Sequence, residues 1–346
     1  MAMEQTPELE RILQEAADRG ASDVHLVPGE PVSFRVRGAI ERAEADPLTA
    51  AQVRAIAAAA VGDQALEQIP SATGGAITSC GLPGVVDGRI AVARALGDCT
   101  LTIRILPGVV LDVQAAGMPD AMLQAAQAPH GLIIFAGQTG SGKSTAAYSL
   151  LDHINATRPV HIYTIEDPVA ARLTPKRALV QQREIGSDVP DTIAGLRCAL
   201  TQDVDVLFIG QLTTVAEVQA AVTAADAGHL VIVVGHASSP EDMIQRLLDI
   251  QPPEARGHFA KRLASVLRAV SVQCLLPKAA GRGRVAAYGV LVPDDQTRRA
   301  IIEAGSLAER TGPLPPGSRT LADDIRRLEA EGIVSPEAAA KALAAL

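Results

Sequence analysis

The chain has 346 residues, a formal net charge of −8, 48% apolar and 2% aromatic residues, and no tryptophan. That length suits two or more domains, and the acidic balance argues against a broad nucleic-acid surface, which needs a basic patch. No apolar run approaches the roughly 18 residues of a membrane span, the opening MAMEQTPELE has no signal pattern, and Cys80, Cys99, Cys198 and Cys274 form no C-x-x-C pair for zinc or a disulfide framework, so the expectation is a cytoplasmic protein.

Residues 7–19 read as a helix with Leu9, Ile12, Leu13 and Ala16 on one face. Gly20-Ala-Ser-Asp-Val-His-Leu26 leads into a strand. After a turn at Pro28-Gly-Glu-Pro31, residues 32–40 alternate, with Val32, Phe34 and Val36 inward. Thr49 suits the N-cap of a helix over residues 50–61, and residues 75–106 hold several short strand-like runs. These elements predict a small α+β domain over residues 1–106, with Pro107-Gly108 as hinge and residues 107–118 as linker.

Pro119 suits the first turn of a short helix. From Gly131 strands and helices alternate, as an α/β sheet requires. Strands are expected at residues 132–136, 160–165, 206–209, 230–234 and 284–292. Helices are expected after the first strand, at 191–202, from a Thr214/Glu217 capping box to Gly228, at 240–248 and at 254–270. Residues 119–292 make this α/β domain, and residues 293–346 a helical C-terminal region with a Pro/Gly stretch from Gly312.

The stretch Gly131 to Thr145, GLIIFAGQTGSGKST, carries the chemistry. Gly137, Gly142, Lys143 and Ser144 fit G-x-x-x-x-G-K-[ST] between a strand and a helix, the phosphate-binding P-loop. Glycines let the backbone N–H groups of Thr139, Gly140, Ser141 and Gly142 close around a triphosphate, and the helix start adds its positive dipole end. Lys143 reaches the β and γ oxygens, and Ser144 offers a hydroxyl to Mg2+. A nucleoside triphosphate is therefore the expected ligand.

In such a sheet the ligand lies at the carboxyl ends of the strands. Glu166 and Asp167 follow the strand HIYTI there; Glu166 is the favoured residue for polarising the attacking water, and Asp167 could help the metal. A helix cap or solvated turn is the other use of that pair. The third strand ends at Gln211, an amide where an acid for magnesium is expected. Asp205 lies at its far end, about 20 Å away at roughly 3.3 Å per residue. An amide supplies no negative charge, so binding with weak turnover is expected. His236 ends the fourth strand, where it could sense the γ-phosphate, whereas His229 at its start suits a structural or intersubunit role. Arg89, Arg94 and Arg104, on strands of the first domain, suit either a solvated face or a finger onto a neighbour's γ-phosphate.

These residues together resemble the type II/IV secretion and type IV pilus ATPases, nearest to the PilT-like retraction motors of twitching motility. Gly20 to Leu26, GQTGSGKST, Thr164-Ile-Glu-Asp-Pro168, Gln182-Arg-Glu-Ile-Gly186, Gly228-His-Leu230 with His236, Asp249-Ile-Gln-Pro252 and Gly283-Arg-Val-Ala-Ala-Tyr288 carry the likeness. The C-x-x-C insertion and longer N-terminus of the extension and secretion types are missing. The resemblance implies a PAS-like first domain, a RecA-like second domain, ATP and Mg2+ at the seams of a homohexamer, and docking on an inner-membrane platform protein from the cytoplasmic side. It implies Glu166 as general base, Lys143, Ser144 and Thr145 as phosphate and metal contacts, His236 as sensor, and Arg89 and Arg104 as trans contacts.

The chain departs from that pattern at Gln138 for Pro, at Gly210-Gln-Leu-Thr-Thr214 for Gly-Glu-Met-Arg-Asp, at Ala237 for Thr, and in the faint retraction motif at residues 297–303. Three functions stay in competition. One is an ATP-driven pilus motor with weakened hydrolysis. Another is a low-turnover nucleotide-binding regulator or partner of an active paralogous ATPase. A RecA-like protein acting on DNA is disfavoured by the acidic balance.

Overall fold

The computed structural model describes residues 7–36, 38–68, 76–82, 86–106, 110–280, 283–303 and 313–346. The expected Pro107-Gly108 hinge and Gly312 lie outside them, as do Arg37 and Gly75. Two compact units divide at Val109/Val110.

The first unit runs α1 (Pro7–Arg19), β1 (Ala21–Leu26), β2 (Ser33–Val36), β3 (Ala39–Arg42), α2 (Ala50–Val61), α3 (Asp63–Gln68), β4 (Ala76–Leu82), β5 (Val86–Ala95) and β6 (Asp98–Leu106). Its sheet has the order β3-β2-β1-β6-β5-β4, all antiparallel. Leu9, Ile12, Leu13 and Ala16 of α1 are buried, as their helical spacing requires. Thr49 and Gln52 close a reciprocal capping box at α2. The run 32–40, expected as one strand, is a hairpin instead. Gly38 adopts a φ of +87°, which a glycine tolerates without steric cost, and Val36 pairs with Ala39 across the turn.

The second unit runs α4 (Asp120–Ala125), β7 (Gly131–Ala136), α5 (Lys143–Thr157), β8 (His161–Glu166), β9 (Leu179–Glu184), α6 (Thr192–Ala199), β10 (Val206–Ile209), α7 (Val215–Asp226), β11 (Leu230–Val234), α8 (Pro240–Asp249), α9 (Pro253–Val266), β12 (Leu267–Pro277), β13 (Arg284–Leu291), α10 (Asp295–Glu303), α11 (Leu321–Ala330) and α12 (Pro336–Leu343). The sheet order is β13-β12-β7-β11-β10-β8-β9. It is parallel except for β13, which pairs antiparallel with β12.

Both faces of this sheet are covered, which explains the unbroken apolar run of β7. Leu132, Ile134 and Ala136 pack with Leu196, Val218 and Leu263 from the helices on one face. Ile133 and Phe135 pack with Met122, Leu150 and Leu151 on the other.

The helix expected over 254–270 ends at Val266. Leu267 and Val270 are buried on β12, which pairs with the buried strand β7 from Leu267↔Leu132 to Val272↔Ala136. The sheet pairing overrides the local helical spacing. Pro119, expected in the first turn of its helix, is the extended N-cap of α4. The polar strand β9 was not anticipated. It forms the outer edge of the sheet, where Gln181, Gln182 and Arg183 are only half-buried.

The C-terminal helix α11 is fastened to β13 through Asp324. Its buried carboxylate accepts the Tyr288 N–H at 2.8 Å and pairs with Arg319 at 2.9 Å and Arg327 at 2.8 Å. Asp324→Ala leaves an N–H and two guanidiniums without their shared anion. We expect a loss of about 3 kcal/mol, read as a lower urea midpoint.

Candidate functional site

Every residue of β7 is buried, so the strand delivers Gly137 at a fixed place on the carboxyl edge of the sheet. Gly137 has a φ of +149°, and a Cβ there would lie 2.5 Å from Ser141 Oγ and 2.8 Å from the Gln273 carbonyl oxygen. The loop therefore turns against β12 with no room for a side chain.

At the other end of the loop, Gly142 is the N-cap of α5 in the left-handed region, and among the described residues no side chain caps that helix. Asp191, Thr214, Ser239, Thr320 and Ser335 each cap their own helix with an oxygen. Capping oxygens satisfy first-turn N–H groups; α5 leaves its own to an external acceptor. Its dipole favours an anion in that place.

Lys143 is 8% exposed and donates from Nζ to the Gln138 carbonyl at 3.1 Å. Burial pushes its ammonium pKa down. Gln273 Nε2 braces the loop by donating to the Ser141 carbonyl at 2.8 Å. Ser141 Oγ and Gln273 Oε1 are buried and have no hydrogen-bond partner among the described residues.

A cavity of about 450 Å³ opens beside α5, lined by Ser144, Tyr148, Glu166, Asp167, Gln211 and Glu217. The structure thus gathers at one place residues far apart in the chain. Ser144, Asp167 and Gln211 are exposed there, whereas Glu166 is 2% exposed. Burial pushes the Glu166 carboxyl pKa up, against hydrogen bonds that lower it. Its Oε2 accepts from the Tyr148 hydroxyl at 2.5 Å and from the Ala170 N–H at 3.3 Å. Its Oε1 is buried with no partner among the described residues. A second cavity, of about 900 Å³, borders the same helix start at Gly142, Thr145 and Ala146 and is lined further on by Leu275 and Tyr288.

His236, Thr139, Gly140, Asp205 and His229 do not line the first cavity. His236 is exposed, two residues beyond β11, and Thr139 and Gly140 form the exposed crest of the loop. Asp205 accepts the His161 N–H at 2.8 Å, at the amino end of β8. His229 Nδ1 lies 3.0 Å from the Ala224 carbonyl at the end of α7. In the first unit Arg89 stands opposite Arg104 across β5 and β6. The Arg104 Nε donates to Asp23 Oδ1 at 3.0 Å, and Arg94 is exposed near the tip of the same hairpin.

Sequence reasoning missed Tyr148, Gln182 and the second use of Glu217. Tyr148 stands four residues after Ser144, a helical neighbour spacing that places both on the cavity wall. By its sequence pattern Glu217 is only a cap. It is also a carboxylate on the wall of the Gln211 cavity. Burial pushes its pKa up, but the Thr213 N–H, Thr213 hydroxyl and Thr214 N–H, at 2.8–2.9 Å from Oε2, outweigh this and hold it below the ordinary range.

Among the described residues no group of three or more His, Cys, Asp and Glu could hold a metal. The donors present, an exposed serine hydroxyl and nearby carboxylates, fit magnesium. That ion keeps several waters and takes much of its coordination from substrate phosphates. The partnerless Glu166 Oε1 is a natural acceptor for a water beside that ion.

A parallel sheet with this loop and an uncapped helix at its carboxyl edge defines a P-loop nucleotide-binding protein. The chain belongs to the Type II/IV secretion system protein family, which matches residues 4–304. It is 32% identical to the type IV pilus retraction ATPase PilT of Pseudomonas aeruginosa over 335 residues, covering 95% of this chain and 96% of that protein. It is 30% identical to a twitching motility protein of Neisseria gonorrhoeae, over 75% of this chain and 70% of that one. The crystal structure of the pilus retraction motor PilT with bound ADP superposes with a TM-score of 0.87 at 32% identity, covering 96% of each chain. The Legionella pneumophila ATPase DotB shares the fold, with a TM-score of 0.78 at 22% identity over 99% of each chain.

Gly142→Ala forces a φ of +86° on an L residue and sets a Cβ 2.8 Å from Gln273 Nε2. We expect a fluorescent ATP analogue to bind at least about tenfold more weakly, roughly 1.4 kcal/mol, in an equilibrium titration.

Proposed function

We propose that this chain is an ATP-hydrolysing motor subunit of a type IV pilus or related secretion machine, with turnover weakened at Gln211. The observation that carries the proposal is the uncapped start of α5 beside a cavity holding Ser144, Glu166 and Gln211. The relatives named as retraction and twitching-motility proteins support the pilus assignment.

In this reading the loop amides of residues 139–142 hold the β-phosphate, and Lys143 exchanges the Gln138 carbonyl for phosphate oxygens. Ser144 and the nucleotide hold magnesium, with Asp167 nearby; the ion, when bound, screens the charge on the transferring phosphoryl group. Glu166 Oε1 orients and deprotonates the attacking water. His236 reads the γ-phosphate, and Thr145 flanks the α-phosphate. The nucleoside end extends into the larger cavity at Gly142 and Ala146. The first unit is PAS-like and the second RecA-like, with a helical C-terminal region from residue 293. Arg89 and Arg104 act on a neighbour's nucleotide in a hexamer docked on a platform protein at the cytoplasmic side of the inner membrane. No helix among the described residues is long and apolar enough to cross a membrane.

One observation favours a second reading, a low-turnover nucleotide-binding partner of an active paralogous ATPase. Gln211 is neutral, and the Glu217 carboxylate in the same cavity is engaged by its own helix cap.

Gln211→Glu restores an anion beside the metal position, and steady-state ATPase activity should rise roughly tenfold, about 1.4 kcal/mol of barrier. A wild type as fast as the variant removes the case for weakened hydrolysis. Chelation of magnesium with EDTA should abolish turnover while leaving nucleotide binding measurable, because the amide cradle and Lys143 are metal-independent.

A further inference from the structure

We propose that Tyr148 is a positioning residue for ATP hydrolysis: it ties down one oxygen of Glu166 so that the other meets the attacking water, with Gln182 locking the tyrosine from behind. The inference rests on the reading of Glu166 as general base.

The hydrogen bonds run in one direction. Gln182 Oε1 accepts the Leu173 N–H at 2.8 Å, so its amide nitrogen is the end that faces the other way. That nitrogen donates to the Ala171 carbonyl at 2.9 Å and to the Tyr148 oxygen at 3.2 Å. The tyrosine oxygen is thereby an acceptor from Gln182, and its single proton goes to Glu166 Oε2 at 2.5 Å. Burial pushes the Tyr148 pKa far up, which keeps that proton in place. A hydrogen bond to a charged acceptor is roughly twice as strong as a neutral one.

The ring is also fixed. Tyr148 is 3% exposed, and its ring meets Phe208 edge-on, with centroids 5.7 Å apart at 76°. Phe208 lies on β10, the strand that leads to Gln211. Tyr148 sits one helical turn after Ser144 on α5. A single rigid helix therefore sets both the serine offered to the metal and the donor that orients the carboxylate. Glu166 retains Oε1 as its partnerless oxygen, on a residue that lines the cavity. Without the phenol, Oε2 loses its shortest hydrogen bond and keeps the longer one from Ala170 at 3.3 Å, so the carboxylate can turn away from the line of attack. Small misplacements of this kind cost up to about a hundredfold in rate.

The test is single-turnover hydrolysis by the full chain in excess over radiolabelled ATP, which reads slow chemistry directly. Wild type, Tyr148→Phe, Glu166→Gln and the double variant are compared, with nucleotide Kd and thermal midpoint measured for each. The expected result for Tyr148→Phe is a rate roughly tenfold to a hundredfold lower, with Kd within about twofold. The double variant should be no slower than Glu166→Gln alone, because the tyrosine acts only through the carboxylate. A Tyr148→Phe rate equal to wild type, with Glu166→Gln slow, overturns the inference and leaves the base reading standing. So does a Tyr148→Phe loss that appears in Kd or thermal midpoint, or that adds fully to Glu166→Gln. Turnover unchanged in Glu166→Gln overturns the base reading itself, and the positioning inference with it.

Discussion

The unsatisfied first turn of α5 is the feature on which the site depends. A helix that begins at a left-handed glycine has no side-chain oxygen for its leading N–H groups, and a buried lysine follows immediately. Most other helices of the second unit begin with a hydroxyl or carboxylate that performs this task. Here the same backbone groups are left to an external anion, with Lys143 lodged against the Gln138 carbonyl.

The sheet makes that arrangement possible by holding both ends of the loop. Strand β7 lies between β12 and β11, with apolar layers on each face. β12 does more than flank it. Gln273 sits beneath the loop, donates to Ser141 and leaves no space for side chains at Gly137 or Gly142. Strands β8 and β10 then bring Glu166 and Gln211 to the carboxyl edge beside Ser144. The loop chemistry is local, but the conformation that uses it is set by a strand more than a hundred residues away.

Charge is distributed unusually around the cavity. The acid buried deepest, Glu166, is held by a phenol and one main-chain N–H, and desolvation works against its ionisation. The residue at the end of β10 is an amide. Glu217 brings a carboxylate to the same wall from a helix, yet three donors of its own cap already engage it. Glu217 thus does not simply replace a carboxylate at position 211.

Much was legible in the sequence because the signals were short-range. The P-loop spacing, the α1 face, the Thr49 N-cap, the Thr214 capping box and the alternation of strand and helix depend on residues within one or two turns of each other. Asp205 could be set aside by strand arithmetic alone. The failures share one cause. Residues 267–270 continue a helical pattern yet pair with β7, and β9 is polar yet completes the sheet edge, because pairing with a distant strand outweighs local preference. Nothing local marks Tyr148; its role depends on Glu166 and Gln182, eighteen and thirty-four residues further on. The sequence by itself determined that a glycine loop and a lysine would meet an anion, since that chemistry is written in consecutive residues. Only the tertiary structure decided which oxygen of Glu166 is tied and which is left over, because that depends on side chains brought together by the packing of α5 on the sheet.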